Sequence, residues 1–333
     1  MILKIIKIIF GLLFVGLIIF YGCLWLLSNK QYPVEYGISF SRFHAQSLGL
    51  DWQKVYLTML DELKPKYIRL AATWSETEAE KNKFDFTAVD WQMNEAKKRG
   101  VKVLLVVGQK APRWPECHVP EWSKKENNSE YSRSLFNYVK TVVERYQKNT
   151  ALYMWQVENE PFIKFRFGEC EHYDSTLVND EINLVRSLDK NHKILITDSG
   201  ELSTWQDSAK AGDLLGTTIY RIVRTPGGRI WKYDWLPAAF YRLKAEFWGV
   251  KLENFIVAEL QAEPWFASSG PSNTDLEEQA KTMNLGRLEN HFNYTEKIGV
   301  SQAYLWGVEW WYWMREVKND ASYWELVKTR IGS

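Results

Sequence analysis

The sequence is poor in the residues on which metal and nucleotide chemistries depend. It has 5 histidines and 3 cysteines in 333 residues. A metal-dependent barrel hydrolase would want two or more histidines at strand ends, and five in the whole chain leave little room for that. No GxGxxG or GxxxxGKS/T pattern occurs, so a dinucleotide or phosphate-loop reading loses its main support. Gly270 and Gly307 do not build a glycine-rich phosphate loop either. The net charge is only +1 and the basic residues are scattered, which argues against a phosphate-tracking surface and a nucleic-acid partner. What is abundant is aromatic: 17 Trp, 17 Tyr and 16 Phe. Part of this must be core, and the remainder suits stacking on flat apolar faces such as those of sugar rings.

The N-terminus carries the one long apolar run, from Ile8 to Leu27, with no charge in 20 residues. That length matches a bilayer core of about 30 Å. Lys4 and Lys7 precede it and Lys30 follows. This bias predicts a single-pass signal anchor with a cytoplasmic N-terminus and the remainder extracytoplasmic, periplasmic or at the cell surface. Two rivals are a cleaved signal peptide and a lipoprotein signal ending at Cys23. The apolar run is long for the first, no small-x-small site follows Leu27, and Tyr21 is bulky for the second. Residues 1–30 are therefore read as a cytoplasmic stub and transmembrane anchor, and 34–331 as one catalytic domain. Cys117 and Cys170 lie in loops of that domain. An oxidising compartment permits a disulfide between them. Metal binding with the adjacent His118 and His172 is the alternative, but the spacings match no common zinc pattern; free thiols are the third possibility.

From Tyr36 onward the pattern alternates. Short apolar, β-branched runs fall at 36–40, 67–71, 101–107, 152–157, 193–197, 215–220, 255–259 and 303–308. Helical periodicity lies between them, at 51–63, 89–98, 135–146, 177–188 and 276–298. Eight strands alternating with helices predict a closed (β/α)8 barrel of α/β class, preceded by the transmembrane helix. Active sites of such barrels lie on the rim after each strand. Here the rim receives Trp74, Gln109, Lys110, Trp114, Asn159, Glu160, Asp198, Glu201, Glu259, Glu263, Glu309 and Trp310. Carboxylates on a Trp-rich rim suit glycosidic bond cleavage, which needs a proton donor and a second carboxylate.

The stretch Trp155-Gln156-Val157-Glu158-Asn159-Glu160-Pro161 closely resembles the clan of retaining (β/α)8 glycoside hydrolases that includes the cellulase, mannanase and β-galactosidase families. Their Asn-Glu pair closes strand four, and their nucleophile closes strand seven, as Glu259 does in Phe255-Ile256-Val257-Ala258-Glu259. The resemblance implies Glu160 as general acid/base, Asn159 as the contact to the sugar 2-hydroxyl and Glu259 as nucleophile. It further implies Arg69 and Tyr220 beside the nucleophile and Trp306 as a subsite floor. A helix like that after Phe84-Asp85-Phe86 recurs in the β-galactosidase-like families. Thr218 stands two residues before Tyr220, where the clan usually has a His. Glu263 is the rival nucleophile and otherwise lines the cleft. Trp74, Trp114, Trp265 and Trp310 are expected as rim aromatics, His44 as a hydroxyl contact, and the run Glu309 to Trp313 as a cleft wall. The predicted function is retaining hydrolysis of β-linked oligo- or polysaccharides without a cofactor or metal. A transglycosylase on the same site and a non-catalytic glycan-binding envelope protein are the alternatives.

Overall fold

The computed structural model describes residues 2–332 except 165–169, 171, 226 and 267–269. Eight parallel strands close into a barrel: β1 (Glu35–Ser39), β2 (Tyr67–Ala71), β3 (Lys102–Val107), β4 (Leu152–Val157), β5 (Lys193–Asp198), β6 (Leu214–Ile219), β7 (Phe255–Gln261) and β8 (Gln302–Trp306). Neighbours in sequence are neighbours in the sheet, and β8 pairs with β1. The predicted (β/α)8 architecture is therefore the observed one.

Strand periodicity explains why the barrel is filled on both sides. One set of alternate residues points inward and forms a compact plug, with Tyr67, Leu104, Met154, Leu195, Ile256 and Tyr304 in it. The other set, including Ile68, Val103, Trp155, Ile196, Val257 and Leu305, packs under the helices. Both faces are apolar, as expected of a buried parallel sheet. Tyr304 fits inside because β1 offers Gly37, where a Cβ would stand 2.8 Å from the Tyr304 ring.

Several elements differ from expectation. The single periodic stretch at 276–298 is two helices, Leu276–Ala280 and Leu285–Thr295, because the Asn284 side chain caps the second by accepting from the Arg287 N–H. The aromatic run after β8 is a helix, Val308–Lys318, with Trp310, Trp311, Tyr312 and Trp313 all buried. It therefore packs inside rather than walling the cleft as an exposed loop would. The loop after β6 carries a two-stranded hairpin, Ile222–Arg224 with Ile230–Lys232, before helix Ala239–Phe247.

Ahead of the barrel, Ile2–Leu27 is one helix. Its segment Lys4–Leu27 is long and apolar enough to cross a membrane, a property that a signal sequence shares. Leu24 is buried against the domain, and Ser28 Oγ accepts from the Ala239 N–H at 2.9 Å. Cys117 and Cys170 are joined as a disulfide, and Cys23 is free.

Candidate active site

The strand ends converge on Arg69, which points into the barrel from β2 and is 1% exposed. A buried guanidinium needs partners for all its N–H groups. Arg69 finds them on two strands. Nε donates to Gln156 Oε1 at 2.8 Å, Nη2 to Asn159 Oδ1 at 2.8 Å, and Nη1 to Glu259 Oε1 at 2.8 Å. Tyr220, just past β6, donates its hydroxyl to the other Glu259 oxygen at 2.7 Å. Both oxygens of Glu259 are thus held in place.

Local backbone irregularities aim these groups. In the pairing of β6 with β7, Thr217 faces Val257 but Thr218 faces Glu259, so Ala258 is skipped. The pairing of β8 with β7 shifts in the same place. Such a bulge re-aims a side chain, here the one at Glu259. After β4 the backbone turns through the left-handed region, with φ of 60° at Glu158 and 45° at Glu160. Non-glycine residues keep that conformation only where their surroundings enforce it. Here the Glu158 carboxylate accepts from the Gln109 N–H at 2.8 Å and the Lys110 N–H at 2.6 Å. Gly108 makes this possible, since a Cβ there would lie 2.4 Å from Glu158 Oε1. The Glu160 N–H donates to Thr197 Oγ1 at 2.9 Å, and Lys110 Nζ donates to the Glu160 carbonyl at 3.1 Å.

Glu160 sits in a setting that favours its protonated form. Burial is the first cause; the negative charges of Glu259 and then Glu116 add to it, and its carboxyl is pushed well above the usual range. Thr218 Oγ1 donates to Glu160 Oε1 at 3.1 Å. Thr218 thus makes a polar contact to Glu160 where the clan usually has a His.

A second network lies on the β8 side. Arg113, from the loop after β3, bridges the carboxylates of Glu263 and Glu309. His44 Nε2 lies 3.6 Å from Glu263 Oε2. Burial alone would raise Glu263, but the Arg113 guanidinium and His44 outweigh it and bring its carboxyl down to about 2. His44, Glu263 and Glu309 are close enough to one another to hold a cation, but the Arg113 guanidinium already pairs with both carboxylates there. Arg113 also lies over the Trp306 ring at 4.0 Å, so part of the platform expected to floor a sugar is covered by a cation.

Sequence reasoning did not single out Arg113 or Glu116. Both come from the irregular stretch after β3, and both have positive φ, 88° and 74°. Glu116 is raised to about 7 by burial, with the Lys110 charge opposing and the Glu259 charge adding; Asn159 hydrogen-bonds its carboxylate. No periodicity marks such a loop. The nearest signal is Cys117, whose disulfide ties this loop to the one after β4.

Two expected rim aromatics need correction. Trp74 is fully buried, donates Nε1–H to Glu78 Oε2 at 2.8 Å and stacks on Tyr138. Trp310 is 1% exposed and donates to Gln279 Oε1. Both lie under the helix layer, because the chain turns straight into a helix at each point and its apolar side faces the barrel. Trp265 is 37% exposed and meets Tyr220 edge-on, and Trp114 is 71% exposed.

The glycosyl hydrolase family 10 model matches residues 68–180 of this chain, which include the Asn159-Glu160 pair. The chain is related to the (β/α)8 glycoside hydrolases. A curated relative is mannan endo-1,4-beta-mannosidase A of Aspergillus aculeatus, 25% identical over 126 residues that cover 34% of this chain and 31% of that one. The match thus spans about a third of that relative's own length. Among solved structures, a family 10 endo-beta-1,4-xylanase from Gloeophyllum trabeum aligns with TM-score 0.57 and 15% identity, covering 92% of this chain and 98% of that one. A beta-galactosidase from the haloarchaeon Halorubrum lacusprofundi aligns with TM-score 0.60 and 15% identity over 89% of this chain and 57% of its own. At these identities the structural likeness carries the fold.

Buried acids make stability pH-dependent here. Glu201 is raised to about 7, first by burial, while the Tyr241 hydroxyl, which donates to it at 2.6 Å, opposes. Its unfolded value is near 4.5, so the folded state binds more protons between the two. Stability contributed by this group is present below about 4.5 and is lost as pH rises toward 7. His291, lowered to about 4 chiefly by burial, acts in the opposite sense. Glu201→Gln keeps the acceptor oxygen and removes the titration. The variant's stability relative to the parent should therefore improve from pH 5 to pH 7. Urea midpoints at the two pH values check this, and an unchanged difference would show that Glu201 does not titrate in the folded state.

Proposed function

We propose that this protein is a retaining glycoside hydrolase acting on β-linked glycans, with Glu160 as general acid/base and Glu259 as nucleophile. The observation that carries the reading is the unequal setting of two neighbouring carboxyl groups at the strand ends. Glu259 has both oxygens held by Arg69 and Tyr220. Glu160 is pushed toward its protonated form by burial and by the Glu259 charge. Two carboxyl groups whose environments divide them into acid and base are what double displacement needs.

In the first step a Glu259 oxygen attacks the anomeric carbon. The bond from that carbon to the leaving oxygen breaks, and that oxygen takes the Glu160 proton. In the second step Glu160 takes a proton from water. The water oxygen attacks the same carbon, and the ester bond to Glu259 breaks. Two inversions retain the configuration. Asn159, fixed by Arg69, faces the 2-hydroxyl. Trp265 offers a ring face, Trp306 only the part that Arg113 leaves uncovered, and Trp114 contributes from the loop after β3. Glu263 and His44 shape the cleft through Arg113 and are not assigned to bond cleavage. The helix Lys4–Leu27 is assigned as an uncleaved single-pass anchor with the barrel outside the cytoplasm, in line with Lys4 and Lys7 ahead of the apolar run. No cofactor enters this scheme.

Xylan, mannan and β-galactosides are the first substrates to offer, since the related proteins carry those names. The test is to incubate the full chain in detergent with a panel of β-linked aryl glycosides and polysaccharides, and to follow the first-formed anomer by proton NMR. A β product from a β substrate is expected. An α product would exclude the retaining scheme. Longer glycans appearing in place of free sugar would favour the transglycosylase on the same two carboxylates.

A further inference from the structure

The contacts of the N-terminal helix and of the linker after it trace a line up one side of the barrel. Tyr32 donates its N–H to the Glu296 carbonyl, at the end of helix Leu285–Thr295. That end lies on the face where strands begin, because the chain next enters β8. Ser28 meets Ala239 at the start of helix Ala239–Phe247, which lies on the opposite face. Tyr21 donates its hydroxyl to the Trp235 carbonyl in the loop after β6. Leu17 and Ile18 then line a hollow with Glu201 and Tyr233, on the rim that carries Glu160 and Glu259. The contacts thus climb toward the catalytic rim as the chain runs back toward its N-terminus. Residues 4–16 are exposed throughout and extend beyond it, by roughly 20 Å at 1.5 Å per residue.

The rim next to this helix exposes large aromatic side chains. Trp25, Trp231 and Trp235 are 46%, 48% and 52% exposed. They fall in two ring-contact groups, Tyr21 with Trp25 and Trp231 with Tyr233 and Trp235, joined by the Tyr21 hydroxyl on the Trp235 carbonyl. Arg229, Lys232 and Lys30 are exposed beside them. The acid among them, Asp234, lies 3.5 Å from Arg221. Indoles with neighbouring cations, beside the Leu17–Trp25 part of an apolar helix, match the chemistry of the lipid headgroup layer.

We infer that the hairpin Ile222–Lys232 and Trp235 dock on the lipid surface, so that the catalytic cleft opens toward the bilayer and takes glycans presented at that surface. The inference rests on the reading of Lys4–Leu27 as a retained anchor. The substrate it implies is a sugar chain attached to a lipid, or lying within a few ångströms of the headgroups, rather than a polymer in bulk solution.

The test uses the full chain carrying Cys23→Ser, which leaves no other free thiol, in vesicles of phosphatidylcholine and phosphatidylglycerol. An NBD fluorophore is placed on a single new cysteine, and doxyl-labelled lipid is added as quencher. The positions are Leu13→Cys in the span, Trp231→Cys in the hairpin, where the flat NBD ring replaces the indole, and Lys102→Cys at the start of β3 on the far face. Docking predicts loss of most emission at positions 13 and 231 and none at 102. Quenching at 13 without quenching at 231 overturns the docked orientation and leaves the anchor standing. Quenching at 102 in place of 231 means that the barrel sits the other way up, which also overturns it. Absence of quenching at 13 removes the anchor reading and the docking with it.

Discussion

Glu259→Gln should lower kcat on any cleaved glycoside by roughly 10^4-fold or more, in the range seen when a nucleophile is removed elsewhere. The amide keeps the shape and its one oxygen can still accept from Arg69 or from Tyr220, which donate to different Glu259 oxygens, but it cannot form the sugar ester. Glu160→Gln should cost about 10^2- to 10^4-fold, the span of general acid catalysis, and the loss should depend on the substrate. An aryl leaving group of low pKa departs without help, so bond cleavage to the glycosyl–enzyme suffers little. The second step then limits, because no base activates water. Azide, which needs no base, should restore turnover in Glu160→Gln by trapping the ester. The parent should lose activity as pH rises through the raised pKa of Glu160, since the acid must be protonated. That basic limb should vanish in the variant. Steady-state kinetics across pH with two leaving groups measure all of this. Glu263→Gln is the control: if it abolishes turnover as Glu259→Gln is expected to, the nucleophile is misassigned.

Arg69→Met should be the most damaging single change to stability around the site. The side chain is 1% exposed and its ion pair with Glu259 is 2.8 Å long. Methionine fills part of the volume but leaves Glu259, Asn159 and Gln156 facing one another with their shared donor gone. Removing one partner of a buried pair costs about 3–5 kcal/mol, because the remaining charge is stranded. The urea midpoint should fall accordingly. A double variant with Glu259→Gln should recover part of the loss, since the stranded charge is then absent. If both single changes cost the same and their effects simply add, the pair is not coupled and Glu259 relies on Tyr220 alone.

Much of the fold was legible because parallel strands buried on both faces write themselves as short unbroken apolar runs, and eight such runs close only one way. The runs at 67–71 and 152–157 match the observed strands residue for residue. The convergence of Asn159, Glu160, Glu259, Arg69 and Tyr220 was legible too, because each follows or sits in a strand and strand ends share a rim. The exposure of the aromatics was not. Trp74 and Trp310 stand at rim positions in sequence, yet each begins or enters a helix that carries its indole under the helical layer. Hydrophobicity alone does not separate an indole that packs from one that waits for a ligand.

By itself the sequence determined the barrel, the apolar N-terminal helix and the strand-end carboxylates, since all three depend on local pattern and spacing. Only the tertiary structure decided that Arg113 covers Trp306, that Glu116 joins the carboxyl cluster, and that the N-terminal helix rises past the catalytic rim. These depend on where an aperiodic loop, a disulfide across 53 residues and a seven-residue linker place groups far apart in the chain. No local propensity encodes such placements, because their energies arise only when distant charges and rings are brought into contact.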